Sequence, residues 1–448
     1  MVEIDRLGDW KRTHYSSEIS SSMDGKEVIV AGWVRAIRKV GRIIFIQLAD
    51  RYGSCQIIAK PKDVPDKLKQ RIESLGREDV VAIKGTVVAN KEAPNGFEII
   101  PLEIKVLNKS EAPLPLEVVS KKTPAEFHTR MGARYIDIRR PEVAAIFSIK
   151  DAVTTAIRNF LESNGFIEIH TPKILAEASE GGAEVFKIMY FNREAYLAQS
   201  PQFYKQMMMA TGFDKVYEIA PAFRAEKSHT TRHIAEILML DMEMAFISSV
   251  EDVMNVLERM MKYVCEFVSS QEQKALHILN KSIRVPELPF PRITMVEAKK
   301  MLSQRGLKYK PHEELDERGE RILGELGKEK FGHDFIFLTE FPWHTAKFYH
   351  LQKEDNPKVA ERCDLIYNGV EIATITAREY RYEKLLKQAK ERGVDIKKIE
   401  FYLNAFRYGM PPHGGCGVGI DRIVKQMLGL ENIQEAVLFP RTPERLIP

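Results

Sequence analysis

The sequence YEIAPAFRAEKSHTTRH occupies residues Tyr217–His233. Apolar side chains alternate with other residues up to Arg224, and this period of two predicts a β-strand. The polar segment Lys227–Thr231 predicts a hairpin turn, and the run rich in Leu, Ile and Met over Ile234–Phe246 predicts the returning strand. Arg224 and Arg232 would therefore project from paired strands, which hold a phosphate-binding guanidinium more rigidly than a loop does.

The order Phe-Arg-x-Glu, loop, Arg-His in this stretch resembles motif 2 of the class II aminoacyl-tRNA synthetases. The resemblance implies that Arg224 and Glu226 are catalytic and also bind ATP. Arg224 would hold the α-phosphate and the attacking carboxylate, and Glu226 would hydrogen-bond adenine. The other ATP-binding residues that this motif implies are Ala225, Arg232, His233 and Ile234.

The bulk composition narrows the class of protein only slightly. The chain has 448 residues, enough for two or three domains, and its formal net charge of +4 permits a nucleic-acid partner without requiring one. Its four cysteines include no CxxC pair, so neither a disulfide framework nor a zinc site is expected. Because there is no signal-like N-terminus and no long apolar run, we expect a cytoplasmic protein without a membrane segment.

The N-terminal region predicts a five-stranded barrel. One helix, Pro65–Leu75, is predicted between the third and fourth strands, which is the order of an OB-fold. The predicted strands are Val28–Val34, Arg42–Leu48, Ser54–Ala59, Val80–Ala89 and Glu98–Leu107.

Four residues of this barrel are candidates for reading a tRNA anticodon. Phe45 and Gln56 would lie on neighbouring strands, where a ring can stack on an unpaired base and an amide can bind its edge. The alternative is a barrel without a ligand, with Phe45 in its core. The order G-W-V, F-x-x-L, G-x-x-Q resembles the anticodon-binding domain of aspartyl-, asparaginyl- and lysyl-tRNA synthetases. In archaeal-type members, the positions of Arg35 and Pro94 vary with anticodon discrimination.

The predicted fold class is α+β, in three segments. Residues 1–107 form the OB-fold barrel, and residues 108–140, rich in proline and charge, form a hinge. Residues 141–448 form a class II catalytic domain, an antiparallel sheet flanked by helices. An insertion around residues 250–345 receives no chemical role.

The start of the catalytic domain resembles class II motif 1. Apolar spacing predicts a helix over Glu142–Asn164, followed by a strand from Gly165 to Pro172. In composition alone these are only a helix and a strand. The resemblance implies a homodimer, because motif 1 forms the dimer contact in that family.

Two segments between motifs 1 and 2 resemble the amino-acid pocket of archaeal-type aspartyl-tRNA synthetases. They are Ala178–Ala183, with two glycines, and the string QSPQFYKQ over residues 199–206. Taken alone, the first is equally well explained as a connecting loop and Lys205 as an exposed side chain. The residues that the resemblance assigns to binding aspartate are Glu180, Gln202, Phe203, Tyr204, Lys205, Arg224, Thr374 and Arg378.

A metal site is predicted on the strand Cys363–Ile375. This run carries Asp364 and Glu371, and a carboxylate buried on an apolar strand needs a cation beside it. Glu371 matches the family glutamate that coordinates the magnesium bridging the ATP phosphates, and Thr374 stands where a serine usually assists. Hard oxygens completed by substrate phosphate suit Mg²⁺.

The C-terminal run GMPPHGGCGVGIDR, Gly409–Arg422, supplies the third motif. A glycine-rich run before a helix is weak evidence for phosphate binding by itself. The spacing G-x-G-x-G-x-x-R, together with the terminal Leu-Phe-Pro-Arg, resembles class II motif 3, in which the arginine covers adenine as a cation–π partner. The ATP-binding residues that it implies are Gly419, Ile420, Asp421 and Arg422.

These resemblances run over nearly all of the chain and imply an aspartate–tRNA ligase that uses ATP. Lys205 and Arg378 could clamp a side-chain carboxylate, which favours aspartate over asparagine. One stretch departs from the family pattern E-I-x-S-G-x-Q-R-x-H, with Ile375, Ala377 and Tyr380 in place of glycine, glutamine and histidine. The branched Ile375 is expected to narrow or reshape the amino-acid pocket.

Two alternatives stay open. The strings FRAEKS and FPRTPERLIP also resemble the sister family of asparagine–tRNA ligases, and a non-charging paralogue could retain ATP or tRNA binding. Intact Arg224, Glu226, Glu371 and Arg422 argue against loss of the activation step. Proline near Pro94 occurs in members that also charge tRNA(Asn), which favours transfer of aspartate to both tRNA(Asp) and tRNA(Asn).

Overall fold

The computed structural model describes residues 4–60, 62–118, 125–177, 184–225 and 231–448. Two compact units, Met1–Pro141 and Glu142–Pro448, make up the chain. Glu180, Glu226 and most of the predicted turn Lys227–Thr231 lie outside the described residues. No helix in the described part of the chain combines the length and the apolar character needed to cross a bilayer.

The first unit contains a closed five-stranded barrel. Its elements are β1 (Glu27–Val40), β2 (Ile43–Asp50), β3 (Gly53–Ala59), α1 (Asp66–Glu73), β4 (Val80–Ala89) and β5 (Phe97–Asn108). The strand order is β1-β2-β3-β5-β4. Alternate side chains point inward, as Ile44, Ile46 and Leu48 do in β2, and fill an apolar core. The predicted OB-fold, with its helix between the third and fourth strands, is confirmed.

The segment after the barrel belongs to the same unit. It contains the short helices α2 (Phe127–Gly132) and α3 (Arg134–Asp137). The fully buried Arg134 donates through Nη1 to Asp137 Oδ2 at 2.6 Å, which offsets the cost of burying both charges. That residues 108–140 act as a hinge stays a prediction.

The second unit is built on an eight-stranded sheet and a three-stranded sheet. The strands are β6 (Ile167–Glu168), β7 (Ile174–Leu175), β8 (Lys187–Tyr190), β9 (Arg193–Leu197), β10 (Lys215–Phe223), β11 (Glu236–Ala245), β12 (Arg292–Thr294), β13 (Phe335–Thr339), β14 (Arg362–Tyr367), β15 (Val370–Ala377) and β16 (His413–Gly419). The large sheet has the order β12-β13-β14-β15-β16-β11-β10-β6, and the small one the order β7-β9-β8. Neighbouring strands of the large sheet are antiparallel except at its two edges. At one edge β12 is parallel to β13, and at the other β6 is parallel to β10.

Helices cover this sheet and its flanks. They are α4 (Pro141–Ser163), α5 (Gln202–Met208), α6 (Val250–Gln271), α7 (Gln273–Leu279), α8 (Met295–Gln304), α9 (Glu317–Phe331), α10 (Tyr382–Glu391), α11 (Glu400–Arg407) and α12 (Ile420–Leu428). Short 3₁₀ turns lie at Ser16–Glu18, Ser21–Met23, Met209–Thr211, Trp343–Thr345 and Ile433–Ala436. Helices α4, α6 and α12 share one apolar core with the sheet, whereas α5, α10 and α11 share a second cluster. All four cysteines are free and buried.

Two predicted elements differ from the structure. The strand predicted from Gly165 to Pro172 shrinks to β6, because only two of its residues pair with β10. The single strand predicted over Cys363–Ile375 forms two strands, β14 and β15, and the glycine-rich C-terminal run, to which its sequence assigned no element, forms β16 in the middle of the sheet. The helix after it therefore begins at Ile420, two residues before Arg422.

Candidate active site

A cavity of about 380 Å³ lies on one face of the large sheet. Strands β11 and β15 contribute alternate side chains to the cavity and to the apolar core. In β11, for example, Asp241 lines the cavity, whereas its neighbours Leu240 and Met242 belong to the core. Because successive residues of a strand point to opposite faces, the cavity lies on the face opposite to α4, α6 and α12.

The charged lining of the cavity is predominantly cationic. Its charged residues are Glu184, Arg224, Asp241, Lys347, Arg362, Glu371, Arg378 and Arg422. Five cations thus face three carboxylates, four of the cations being arginines. Such a wall favours a ligand that carries phosphate or carboxylate groups.

Glu371 and Arg422 meet at the start of β15. Arg422 Nη1 donates to the carbonyl oxygen of Glu371 at 2.9 Å and lies 3.5 Å from its Oε2. Burial opposes ionisation of Glu371, but the positive charges of Arg422, Arg362 and Arg224 outweigh it, so its pKa is lower than usual. Glu371 is therefore a carboxylate at neutral pH.

The predicted metal ligands, Glu371 and Thr374, are brought together. Thr374 Oγ1 donates to Glu371 Oε1 at 3.1 Å. Asp364 faces Thr374 across the β14–β15 pair, and its buried Oδ1 has no hydrogen-bond partner among the described residues. Burial raises the pKa of Asp364 to about 7. These oxygens are hard donors of the kind that Mg²⁺ prefers, although no cluster of three or more Asp, Glu, His or Cys ligands occurs in the described ranges.

A network of buried ion pairs closes the other end of the cavity. Lys205 Nζ lies 2.9 Å from Asp241 Oδ1 and donates to the carbonyl oxygen of Cys416 at 2.9 Å. Arg378 donates to Glu243 through Nε at 2.9 Å and through Nη2 at 3.2 Å. Each buried cation thus has a carboxylate partner, which offsets its desolvation.

Gly415 provides the space for this network. It lies directly opposite Glu243 in the β11–β16 pair, and a Cβ on it would come within 2.1 Å of Glu243 Oε2. Glycine is therefore required at position 415, because any side chain there would clash with the carboxylate of Glu243. Gly417 and Gly419, in contrast, line the cavity, as the motif 3 resemblance implies for Gly419.

The predicted aspartate-binding segment Gln202–Lys205 does not line the cavity along its whole length. Gln202 lines the cavity, and its buried Nε2 has no hydrogen-bond partner among the described residues. Phe203 stacks on Tyr402 with ring centroids 4.5 Å apart, Tyr204 lies outside the lining, and Lys205 is 2% exposed behind Asp241. The segment begins α5, and consecutive residues of a helix point in different directions.

Lys205 and Arg378 are not two unsatisfied cations that could select aspartate by charge. Lys205 and Arg378 are already paired, with Asp241 and Glu243 respectively. Only Arg378 of the two cations lines the cavity, and its Nη1 has no hydrogen-bond partner in the described part of the chain. Arg378 Nη1 is consequently the group left to meet a carboxylate.

The expected narrowing of the cavity by Ile375 is wrong. Ile375 and Ala377 lie on the core face of β15, where Ile375 faces Cys363 and Cys416 on the flanking strands. Thr374 and Thr376 occupy the alternate positions and line the cavity. Tyr380 packs against the cluster of α5, α10 and α11 and is also outside the lining.

The predicted ATP-binding residues separate into two groups. Those that line the cavity are Arg224, Glu371, Gly419 and Arg422. Those away from it are Ala225, Arg232, His233, Ile234, Ile420 and Asp421. Asp421 is buried, lies 2.5 Å from Lys150 Nζ and accepts the amide of Leu238 at 2.9 Å, so it anchors α12 to β11.

Arg232 lies beside the insertion. Its Nη1 donates to Glu320 Oε2 of α9 at 3.1 Å. Burial, with the nearby charge of Glu371, raises the pKa of Glu320 to about 7. The insertion therefore contributes a carboxylate that orients one predicted phosphate-binding arginine.

In the barrel, Phe45 and Gln56 lie on neighbouring strands as predicted. The β2–β3 register pairs Phe45 with Ile58 and Gln47 with Gln56, which sets Phe45 and Gln56 on one face. Residues next to Phe45 in β2 point into the core, so this face is the outer one. Gln56 Nε2 donates to Glu98 Oε1 at 3.0 Å. Phe45 is therefore not a core residue.

The other two barrel candidates occupy different surroundings. Arg35 is buried, with Nη1 2.5 Å from Glu78 Oε1 and Nη2 donating to the carbonyl oxygen of Arg139 at 2.9 Å. Pro94 is exposed in the turn between β4 and β5. Their roles in anticodon choice stay predictions.

Several site residues were missed by the sequence reasoning. They are Asp241, Glu243, Glu320, His350 and Arg362. Asp241 and Glu243 alternate on an otherwise apolar strand, the same signal that identified Glu371, and could have been found by it. His350 belongs to a segment with no regular pattern, so nothing local indicated it.

The fold and the cavity define a class II aminoacyl-tRNA synthetase with an OB-fold module. Residues 126–443 match the family described as tRNA synthetases class II (D, K and N), and residues 28–107 match the OB-fold nucleic acid binding domain. The chain belongs to the class II tRNA synthetases of this D, K and N group, enzymes that join an amino acid to tRNA.

Relatives of the whole chain agree with this assignment. An aspartate–tRNA(Asp/Asn) ligase of Methanococcus aeolicus is 46% identical over 99% of each chain. An aspartate–tRNA(Asp) ligase of Thermococcus kodakarensis is 48% identical over 98% of this chain and 100% of its own. The two names differ in tRNA range although the identities are almost equal.

Solved structures of the same architecture include both specificities. The asparaginyl-tRNA synthetase of Pyrococcus horikoshii, complexed with asparaginyl-adenylate, has a TM-score of 0.89 and 32% identity, covering 98% of this chain and 100% of its own. A putative aspartyl-tRNA synthetase of Leishmania major has a TM-score of 0.90 and 29% identity, covering 100% and 97%. Overall likeness therefore does not separate aspartate from asparagine.

Glu243→Gln should destabilise the second unit by about 3 kcal/mol or more, because it removes one of the two charges that neutralise Lys205 and Arg378. The midpoint of urea unfolding measures the change. Glu194→Gln is the matched control, since Glu194 forms an exposed ion pair with Lys187 at 3.1 Å and should leave the midpoint unchanged. Equal midpoints for the two variants would show that the buried network does not stabilise the fold.

Proposed function

We propose that this chain is an aspartate–tRNA ligase. It would activate L-aspartate with ATP to aspartyl-adenylate and transfer the aspartyl group to tRNA(Asp). The names of the Methanococcus and Thermococcus relatives support aspartate as the amino acid. The arrangement of the cavity supports the activation step.

The single observation that supports activation most is the extension of the cavity along β15. Glu371 and Thr374 lie with Arg422 near the start of this strand, and Arg378 follows its end. Seven residues of extended chain separate Glu371 from Arg378 by roughly 20 Å. A ligand that meets both ends must be elongated and anionic at one end at least, as an aminoacyl-adenylate is.

The work of the site in this proposal is positioning and charge neutralisation. Arg224 would bind the α-phosphate while the amino-acid carboxylate attacks it and pyrophosphate leaves. Arg422 would cover the adenine ring, and Glu226, outside the described residues, would bind its edge. Binding of both substrates in one orientation replaces an encounter in solution, so no covalent enzyme intermediate is required.

Magnesium fits the Glu371 end. Glu371 and Thr374 would hold the ion through two oxygens, with phosphate and water completing its shell. When bound, Mg²⁺ supplies positive charge to the phosphates. Glu371 is suited to this because its lowered pKa keeps it ionised.

The amino acid would bind at the Arg378 end. Gln202 Nε2 and Arg378 Nη1 are donors without partners in the described part of the chain, and both residues line the cavity. Lys205 would act indirectly by fixing Asp241, while Phe203 and Tyr204 would support α5 from the side. Glu180 keeps its proposed contact with the amino acid by resemblance alone.

A second candidate, asparagine–tRNA ligase, is favoured by one observation. Asp241 and Glu243 already balance the charges of Lys205 and Arg378, so the end of the cavity does not require a charged guest. The solved asparaginyl-adenylate complex of the Pyrococcus horikoshii relative shows that this architecture accepts asparagine in that protein. The relatives with higher identity favour aspartate.

We also propose that the chain forms a homodimer and reads the anticodon with the outer barrel face that carries Phe45 and Gln56. The motif 1 resemblance and the open edge of β6 support the dimer, and the apolar Ile167 of that strand is 45% exposed. A stacking ring beside an amide supports base reading.

The mass of the purified protein by light scattering should be twice the chain mass of 51.4 kDa. Ile167→Lys should shift the particle towards the monomer, because a charge would be buried in the interface. Val296→Lys changes an equally apolar side chain, 74% exposed on α8, and should leave the dimer intact. A monomeric wild type would contradict the dimer.

Amino-acid-dependent ATP–pyrophosphate exchange is the measurement that tests activation and substrate together. We expect the rate of exchange with aspartate to be at least about tenfold above the rate with asparagine. The reason is that hydrogen-bond donors placed to bind a carboxylate discriminate by that factor or more against a substrate that leaves one of them unpaired. Omission of amino acid is the control. Exchange with asparagine alone would transfer the assignment to the second candidate, and no exchange with either would contradict both.

Charging of tRNA transcripts tests the tRNA range. We expect tRNA(Asp) and tRNA(Asn) transcripts both to accept aspartate, and an anticodon that belongs to neither of these tRNAs to abolish acceptance when placed in tRNA(Asp). Charging of tRNA(Asp) alone would end the proposal of relaxed specificity. Acceptance that ignores the anticodon would remove the barrel face from recognition.

A further inference from the structure

His350 is a buried histidine on the wall of the cavity. Its side chain is 5% exposed, and its Nδ1 has no partner among the described residues. The contact that the ring does make is edge-to-face with Tyr349, with centroids 5.0 Å apart. Buried polar atoms are nearly always satisfied, so this one indicates a missing polar ligand.

The backbone places His350 beside Arg378. The two residues pair in an isolated antiparallel bridge, and residues directly opposite in such a pair project from the same face. Both line the cavity, together with Gln202, whose Nε2 is likewise without a partner in the described ranges. His350 and Arg378 therefore lie side by side, and three polar groups with unused hydrogen-bonding capacity line the same cavity.

The ring of His350 is neutral at pH 7. Burial, followed by the positive charges of Arg378, Arg362, Lys347 and Arg392, holds its pKa well below the usual value. A neutral imidazole donates through one nitrogen and accepts through the other. It can thus bind a carboxylate beside Arg378 without adding a further buried cation.

We propose that His350 is a specificity-determining residue that donates a hydrogen bond to the side-chain carboxylate of the amino-acid substrate, next to Arg378 Nη1. The proposal rests on the proposed function and names the substrate class as an amino acid with a short acidic side chain. Because Glu243 already engages two of the Arg378 donors, a carboxylate needs a second donor to satisfy both of its oxygens.

Three variants separate a hydrogen bond from simple packing. His350→Leu keeps the approximate volume without a polar atom, His350→Asn keeps an amide near the position of Nδ1, and His350→Gln keeps one near Nε2. In pyrophosphate exchange we expect His350→Leu to raise the KM for aspartate about tenfold or more and to leave the KM for ATP within about twofold. Either His350→Asn or His350→Gln should have a KM for aspartate within about threefold of the wild-type value.

His344→Leu is the matched control, since this histidine of the same segment is exposed and outside the cavity lining. An unchanged KM for aspartate in His350→Leu overturns the proposal. So does an equal rise in the KM for ATP, or failure of both amides to restore aspartate binding, because either result indicates a structural role. If His350→Leu does not fold, raised aspartate KM in both amide variants also overturns it.

The wild-type arm distinguishes this inference from the proposed function. Aspartate-dependent exchange by wild type, with variants that behave like wild type, removes His350 and leaves the aspartate–tRNA ligase assignment in place. Absence of aspartate-dependent exchange by wild type removes both. If asparagine supports exchange and His350→Leu raises the KM for asparagine, the acidic substrate class is overturned.

Discussion

The buried pairs Lys205–Asp241 and Arg378–Glu243 are the interaction on which the catalytic unit depends. The four side chains come from α5, from β11 and from the end of β15, and their charges cancel inside the fold. Removing any one would leave an uncompensated buried charge, which costs far more than the pair contributes. Gly415 on β16 belongs to the same constraint, because only a residue without a side chain leaves room for Glu243. Three strands and a helix are thus tied together through one set of charges.

This constraint also determines what the cavity offers to a ligand. A cation that is already paired is rigid, so Arg378 is held in one orientation before any substrate arrives. The same pairing reduces the charge that it presents. In the proposed function, recognition at this end would depend on the number and direction of donors, from Arg378, Gln202 and His350, more than on net charge. Hydrogen-bond geometry discriminates between closely similar substrates better than charge alone does.

The opposite end of β15, where Glu371 lies, differs in the ionisation of its carboxylates. There Glu371, whose side chain is 32% exposed, stays ionised because three arginines outweigh the cost of its partial desolvation. Its neighbours Asp364 and Glu320 respond oppositely, with a pKa of about 7 each, since burial dominates for them. One carboxylate at this end is thus ionised at neutral pH, while the other two titrate near neutrality. The two ends are held at a fixed separation by a single strand.

The sequence by itself determined most of the elements and their order. Period-two runs gave four of the five barrel strands and the β10–β11 hairpin within two residues, although β1 continues six residues beyond its predicted end, and apolar spacing gave α4. The motifs identified the family and about a third of the residues that line the cavity, including Arg224, Glu371 and Arg422. Only the tertiary structure decided which face each side chain occupies. Ile375 alternates correctly within its strand, yet its partners Cys363 and Cys416 from distant segments make that face the core. Lys205 is buried because Asp241 lies 36 residues away in the chain and beside it in space, and His350 reaches the site through a bridge to Arg378. Such pairings join residues far apart in sequence, and a local pattern contains no information about them.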